Sequence, residues 1–510
     1  MIADSTSSNK RIAKNTLMLY IRMFFAMLVG LYTSRVVLKV LGIDDYGIFN
    51  VVGGVVTMFG FLNATLSGAT SRFITYALGK GDFNVLKRTF NTALVVHIGI
   101  AVIILIIAET FGLWFINHKL VLPENRMLAA HYIYQFSIAS AMLSITQVPF
   151  NACIIAHERM TVYAYVEMLH VVLKLLIVYL LTLSPYDKLI AYSFLLFSVT
   201  LLITTIYKIY STRHFSECKI QFIYDKQTGK QILSFSGYNL LGNFGYLFNM
   251  QGITILINNF FGLALNAASG VATTVSNVVT SFANNVITAF RPPITKSYAA
   301  NNIKEVEKYL CLGLALSIYL YALFAIPVII EIETLLRLWL VKVPESSSLF
   351  CRLILIGLLF DLIRHMGTIA IHAVGKVKYV SLANGILFSL NPIIIYLIYS
   401  HMHYAPIAYI CNIVTCTLLS CIVVSLIKKY IPEISLRHII RSIISPIVVM
   451  VTTISLCYFF SLQMENGFLR VIFTTIISGG ILTLMTYFII LNVSERKYAI
   501  KLIKNKLSHR

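Results

Sequence analysis

Long apolar stretches alternate with short polar turns along the whole chain. About fourteen stretches match the roughly 20 residues that a helix needs to cross a hydrocarbon core of about 30 Å. They lie near residues 15–41, 46–78, 86–112, 127–155, 160–183, 187–210, 231–261, 265–292, 305–335, 347–374, 377–400, 403–427, 437–461 and 468–492. This pattern predicts an all-α, polytopic membrane protein with about 14 transmembrane helices.

The polar turns alternate between basic and non-basic. Lysine and arginine cluster before the first stretch, after the second, between the sixth and seventh, between the twelfth and thirteenth, and in the tail. The opposite turns hold acids such as Asp45, Glu331, Glu333 and Glu465, and the largest of them, near 111–126 and 331–346, are short. The positive-inside rule then predicts that both termini are cytoplasmic, and we expect a multi-pass protein of a bacterial inner membrane.

The composition indicates which molecules the positive charge of the chain binds. The chain is 58% hydrophobic and only 12% charged, and its net charge is +21. We assign most of that charge to topology and to the phosphate headgroups of membrane lipids, and we exclude nucleic acid as a partner.

An internal repeat divides the chain. Leu41-Gly42 and Phe261-Gly262 stand about 220 residues apart, and each opens a span that ends in a Tyr-Ala pair, at Tyr76 and Tyr298. The repeat predicts two similar bundles with a cleft between them. The predicted boundaries are 1–212 for the first lobe, 213–230 for a cytoplasmic linker, 231–430 for the second lobe and 431–510 for two further helices with a basic tail.

Polar faces on several spans suggest what lines the cleft. The eighth span carries a stripe that includes Asn277, Asn284 and Arg291 at helical spacing, the seventh carries Asn239, and Arg72 stands near the end of the second. Close helix packing is the alternative explanation, since small and polar residues hold membrane helices together.

Charged residues inside the spans form two clusters. Glu167, His170 and Lys174 share one helix face at i, i+3 and i+7, and a structural ion pair is the alternative to a functional role. Asp361, Arg364 and His365 form the second cluster, either a proton or sodium relay or an internally neutralised pair.

Single arginines add to the positive charge. Arg22 lies one to two turns inside the first span and Arg35 nearer its far end. Snorkelling to headgroups explains Arg35, Arg72 and Arg291 nearly as well as a cavity does. An electropositive cleft would select an anion, and arginine suits phosphate because its planar fork offers several donors.

The chain also resembles the polysaccharide transporter family, which are flippases of lipid-linked oligosaccharides such as O-antigen units within the multidrug/oligosaccharidyl-lipid/polysaccharide exporter (MOP) superfamily. The resemblance rests on segments 41–50 (LGIDDYGIFN), 69–79 (ATSRFITYALG), 148–159 and 260–270 (FFGLALNAASG). It implies two six-helix lobes around a central cavity plus two carboxyl-terminal helices, alternating access, and cavity cations at Arg22, Arg72 and Arg291. The implied substrate is an undecaprenyl-diphosphate-linked oligosaccharide, with a polysaccharide polymerase and chain-length machinery as possible partner proteins.

The sequence leaves open which ion gradient drives transport and which of several functions the chain has. Relatives bind sodium through a carboxylate on the seventh helix, which this chain lacks between Lys230 and Phe261, so Asp361, His365 and Glu167 are the candidates for coupling to a Na⁺ or H⁺ gradient. No cofactor is expected. The rivals are a multidrug or metabolite efflux antiporter and a membrane polymerase or ligase. The sequence has no HExxH, Walker A or GxSxG motif, which argues against an enzyme.

Overall fold

The computed structural model describes residues 2–41, 45, 48–49, 52, 60–118, 123–183, 185, 187–221, 223–340, 343–465 and 467–490. Most of the first half of the predicted second span, the side chain of Arg35 and the basic tail beyond residue 490 lie outside this description. The described elements are helices: α1 Ile2–Leu41, α2 Gly60–Lys80, α3 Phe83–Ile107, α4 Met127–Ala156, α5 Met160–Leu183, α6 Lys188–His214, α7 Lys226–Gly262, α8 263–299, α9 Ile303–Trp339, α10 Ser347–Val374, α11 Lys378–Tyr399, α12 Ile407–Tyr430, α13 Leu436–Ser461 and α14 Phe468–Met485.

The predicted fold class is confirmed. Eleven helical segments within the described residues are long and apolar enough to cross a membrane. The other three helices are α1, whose apolar part is the shorter stretch Asn15–Val29, α2, which is described only from Gly60, and α8. The helix count therefore agrees with the hydrophobic pattern.

Aspartate caps fix where three of the helices begin. Asp82, Asp187 and Asp225 precede α3, α6 and α7, and the side chain of each accepts hydrogen bonds from two backbone N–H groups in the first turn. These bonds satisfy donors that have no partner within a helix.

A single glycine separates α7 from α8. Gly262 has φ 80° and ψ −174°, whereas the 74-residue segment Lys226–Ala299 around it is otherwise helical. Residues with a Cβ strongly disfavour this backbone conformation, whereas glycine adopts it readily. Gly262 therefore lets one helix end and the next begin without a loop between them.

Contacts divide the chain into two compact units. The first comprises Met1–Asn243 and Thr295–Asn301, so the predicted first lobe falls wholly inside it. The linker after α6 is tied to α3 in this unit. The Asn91 side chain accepts a hydrogen bond from the backbone N–H of Gln221 at 2.7 Å, and the Thr92 hydroxyl accepts one from the backbone N–H of Asp225 at 3.0 Å.

The second unit comprises Phe244–Ile294 and Asn302–Arg510. In it α13 and α14 both pack on α9. A buried ion pair joins α9 to α14, with Arg470 contacting Glu331 at 2.8 Å.

Two predicted loop limits are wrong. Glu331 and Glu333 lie within α9, which bends at Glu331 (φ −98°, ψ 16°) and continues to Trp339; Glu331 is fully buried because Arg470 neutralises it. The helix of α3 likewise continues past residue 111, through a π-helical turn at Ala108–Gly112, to His118. The fully buried Ile116 packs on α4 there, which favours continued helix over an open loop.

Candidate functional site

The first unit contains a polar cavity of about 530 Å³ at membrane depth, which we call the α5 cavity. Its walls come from α2, α4, α5 and α6. The lining residues are Ser67, Ser144, Gln147, Val148, Asn151, Glu167, His170, Lys174, Thr200 and Ile203.

One face of α5 supplies the charged groups of this cavity. Glu167, His170 and Lys174 are spaced by three and four residues, so their side chains point the same way from the helix. All three line the cavity, as the helical spacing predicts. The first two are half-buried and Lys174 is exposed along its wall.

The carboxylate of Glu167 is held by a tyrosine. The Tyr207 hydroxyl of α6 donates a hydrogen bond to Glu167 Oε1 at 3.1 Å, and Tyr207 itself is fully buried. No ion pair joins Glu167 to Lys174 among the residues that the structure describes. Glu167 and Lys174 thus face the same cavity without direct contact, and the ion-pair alternative stays open.

Two polar atoms of the cavity wall have no protein partner. His170 Nε2 and Asn151 Oδ1 are both buried, and neither has a hydrogen bond within the described part of the chain. A buried polar atom without a partner costs roughly 1–3 kcal/mol. The α5 cavity therefore offers a cation, a carboxylate and unsatisfied polar atoms to a bound solute or to water.

Arg22 lies behind this cavity on α1. Its Nη1 donates a hydrogen bond to the Tyr163 hydroxyl at 3.0 Å, and its Cζ lies 5.1 Å from the centroid of the same ring. Tyr163 is on α5, one turn before Glu167, and its ring centroid is 6.5 Å from that of Tyr207. Arg22 and the α5 cluster thus belong to one connected group of side chains.

Arg72 occupies a different, aromatic site in the first unit. It is 9% exposed, and its Cζ lies 4.6 Å from the ring centroid of Phe73 and 4.8 Å from that of Tyr76. Asn239 of α7 is half-buried in the same unit. Neither residue lines the α5 cavity.

The polar stripe of α8 follows the predicted helical face. Asn277 is exposed, whereas Asn284 and Arg291 are half-buried. The hydroxyl groups of the stripe bond their own helix, as Thr288 Oγ1 does to the carbonyl of Asn284 at 2.8 Å. The place of the stripe in a cleft stays a prediction.

The second unit holds the Asp361 cluster. Arg364 Nε donates to Asp361 Oδ1 at 2.8 Å, and Nη2 lies 2.7 Å from the same oxygen. Arg364 Nη1 also reaches Asn384 Oδ1 at 3.4 Å, and its Cζ lies 5.5 Å from the ring of Phe388. Half-buried His365 sits one turn from Asp361. The geometry is that of an internally neutralised pair.

Sequence reasoning missed the residues that other helices bring to these clusters. Tyr207 and Asn151 join the α5 group, and Asn384 joins Arg364, although each is distant in sequence. A polar residue on a predicted span is a weak signal of a contact between helices, because most polar side chains in spans only bond their own helix.

Comparisons with known proteins agree on the fold. Residues 240–397 match the MatE family model. No curated protein matches this chain in sequence. Among solved structures, a multidrug resistance MATE family transporter of the MOP superfamily in its outward-facing conformation is 13% identical with a TM-score of 0.71, over 84% of this chain and 97% of that one.

Two further structures are similar to the same extent. A MATE protein in complex with MaD3S is 14% identical with a TM-score of 0.70, over 83% of this chain and 97% of that one. A MOP superfamily transporter from Pyrococcus furiosus, whose reversed binding-pocket polarity suggests a different function, is 13% identical with a TM-score of 0.69, over 84% and 96%. At these identities the similarity is one of fold. The family model matches residues 240–397, so the family likeness concerns that part of the chain.

Proposed function

We propose that this chain is a secondary transporter that binds an organic solute in the α5 cavity and exports it across the membrane. The observation that carries the proposal is the cavity itself, in which Lys174 and Glu167 face a polar space of about 530 Å³ within a membrane-spanning bundle. Charged side chains at membrane depth are costly and usually mark a transport pathway. No bond is made or broken in such a cycle, and a Na⁺ or H⁺ gradient would drive it.

The size of the cavity supports efflux of a small molecule over lipid flipping. Sites for drug-sized ligands have volumes of roughly 300–1,000 Å³, and the α5 cavity falls in that range. The headgroup of a lipid-linked oligosaccharide, with several sugars and a diphosphate, needs more space than this. The MatE match and the fold shared with a multidrug resistance transporter also favour efflux.

A flippase of undecaprenyl-diphosphate-linked oligosaccharide is the second candidate. It is supported by Arg22, whose guanidinium contacts the hydroxyl and the ring of Tyr163. In this candidate Arg22 and Arg72 of the first unit bind the diphosphate, in an inner membrane with both termini cytoplasmic. The similar fold of a MOP superfamily transporter with reversed binding-pocket polarity also supports this candidate.

Reconstituted vesicles separate the two candidates. We expect an imposed proton or sodium gradient to drive the movement of fluorescent drug-like organic ions by the wild-type protein. Lys174→Ala should slow this movement by at least about tenfold, since a charge-assisted hydrogen bond contributes roughly 1.5–3 kcal/mol. Lys188→Gln is the matched control, because Lys188 is an exposed lysine at the start of α6 outside the cavity.

The opposite pattern would reject the efflux proposal. If organic ions are not moved, and a fluorescent undecaprenyl-diphosphate oligosaccharide changes leaflet at a rate that Arg22→Ala reduces, the flippase is the correct function. Equal rates for Lys174→Ala and wild type would remove the α5 cavity from the transport path.

A further inference from the structure

The first three turns of α13 carry a second cavity, distinct from the α5 cavity. It has a volume of about 650 Å³ and is lined by Leu436, Arg437, Ile440, Arg441, Ile444 and Ser445. These positions form two adjacent rows along one helix, because residues four apart lie one above the other. One row is apolar and the other carries two arginines and a serine. We call this surface the α13 groove.

The two arginines of the groove have no acidic partner. Arg437 and Arg441 are both exposed, and neither forms an ion pair or a hydrogen bond with the residues that the structure describes. The neighbouring face of α13 differs, since His438 Nδ1 lies 2.5 Å from Glu307 Oε1 of α9. The basic charge of the groove is therefore not neutralised by any acid in the described part of the second unit.

The apolar row is also uncovered. Leu436, Ile440 and Ile444 are 38%, 41% and 53% exposed, and they begin a helix long and apolar enough to span the membrane. The arginines stand about 6 Å apart along the helix axis in the first two turns. At the start of a span this is the depth of lipid headgroups, with acyl chains alongside the turns that follow.

We propose that the α13 groove binds an anionic phospholipid. Its phosphate accepts charge-assisted hydrogen bonds from Arg437 and Arg441, and an acyl chain lies along the apolar row. Ser445, one turn deeper, can donate to an ester oxygen at the glycerol level. Arginine suits this role because its planar fork binds phosphate oxygens in pairs.

Charge complementarity and shape favour this occupant over others. The carboxyl-terminal segment of the chain is strongly basic, with Arg496, Lys497, Lys501, Lys504 and Lys506, so the arginine row would repel it. A soluble anion would leave the apolar row uncovered. A lipid with a negative headgroup satisfies both rows at once.

Native mass spectrometry of the purified protein tests the proposal. The probes are dioleoyl phosphatidylglycerol and, as the neutral reference, dioleoyl phosphatidylcholine. We expect phosphatidylglycerol to bind more tightly, and its affinity to fall about fivefold for each arginine removed in Arg437→Gln and Arg437→Gln/Arg441→Gln. Thermal unfolding in detergent should stay near wild type, because both side chains are exposed.

The matched control removes the same charge at the same spacing. Lys304 and Lys308 are exposed lysines four residues apart at the start of α9, in the same unit. Lys304→Gln/Lys308→Gln should keep phosphatidylglycerol binding near wild type. Equal loss in both double variants, or loss in neither, would overturn the proposal, because binding would then follow net charge or lie elsewhere.

Two further results would also overturn it. One is equal binding of phosphatidylcholine and phosphatidylglycerol, which would leave the arginines without a role. The other is displacement of phosphatidylglycerol by an equal concentration of inorganic pyrophosphate, which would make the groove a site for soluble anions. None of these measurements depends on the proposed transport activity.

Discussion

Glu331 of α9 and Arg470 of α14 form a buried, two-pronged ion pair. Glu331 Oε2 accepts hydrogen bonds from Arg470 Nε at 3.0 Å and from Nη2 at 2.8 Å, and Thr474 donates to the other carboxylate oxygen at 3.1 Å. Glu331 is 0% exposed. The pair therefore anchors the last helix to the body of the second unit through a fully satisfied carboxylate.

Breaking this pair should destabilise the protein strongly. Arg470→Gln leaves the carboxylate of Glu331 buried without its counter-charge, and we expect the free energy of unfolding to fall by about 3–5 kcal/mol. Denaturant unfolding in detergent micelles, followed by circular dichroism, measures the change.

An exposed ion pair between α9 and α10 is the control. Arg352 Nη2 lies 3.4 Å from Glu333 Oε1, and their side chains are 39% and 60% exposed. Glu333→Gln should change stability by no more than about 1 kcal/mol. A similar effect of the two substitutions would contradict the structural role given to Glu331.

Gly262→Ala should destabilise the junction of α7 and α8. No atom lies within 4 Å of an added Cβ, so the penalty comes only from the backbone, whose φ of 80° disfavours a side chain. We expect a loss of about 1–3 kcal/mol in unfolding experiments. Gly270→Ala is the contrast, because Gly270 has equal space inside α8 and alanine favours helix. The prediction fails if both variants are equally stable.

Asp361→Asn should affect stability more than ion coupling. Asp361 is the counter-charge of Arg364, which is 8% exposed, so the substitution leaves a buried guanidinium unneutralised. We expect a lower melting temperature, while the transport that remains responds to pH and sodium gradients as in the wild type. A changed response to either gradient would instead support the proton or sodium relay.

The hydrogen bond between Glu217, in the linker after α6, and His157 should stabilise the protein less as the pH falls. Burial alone would raise the pKa of Glu217, but the hydrogen bond with His157, at 2.6 Å, lowers it below the ordinary value of 4.5. The contact therefore stabilises the fold above the unfolded pKa and loses this contribution as the pH falls through the folded value.

Melting temperatures between about pH 6 and about pH 3.5 test this dependence. Glu217→Gln should be less stable than the wild type at neutral pH, and its melting temperature should fall less steeply below the ordinary pKa. Glu433→Gln, at an exposed glutamate, should follow the wild-type curve. Parallel curves for wild type and Glu217→Gln would refute the prediction.

The hydrophobic pattern predicted the helices well and their ends less well. Spans such as 160–183 and 347–374 agree with the structure to the residue, since apolar length is a local property of the chain. The helix α9 bends at residue 331 and continues to residue 339, whereas the predicted loop began at Glu331. Its partner Arg470 is 139 residues away, and only the folded chain brings the two together.

Local sequence spacing also predicted which charged side chains share one face in the candidate site. Helical spacing alone placed Glu167, His170 and Lys174 on one face of α5, and the three line one cavity. Spacing could not show that Tyr207 holds Glu167, nor that Asn151 shares the wall, because α4, α5 and α6 meet only through packing. Contacts between helices, and not patterns within them, decide what this cavity can bind.

The junction at Gly262 has a consequence for biogenesis. From Lys226 to Ala299 the ribosome delivers 74 residues without a polar turn between α7 and the less apolar α8. No hydrophilic segment separates α7 from α8, so the insertion machinery should not release α7 alone. We therefore expect α7 and α8 to enter the bilayer together. A reporter tag placed between them would interrupt that entry, which makes this position unsuited to topology mapping.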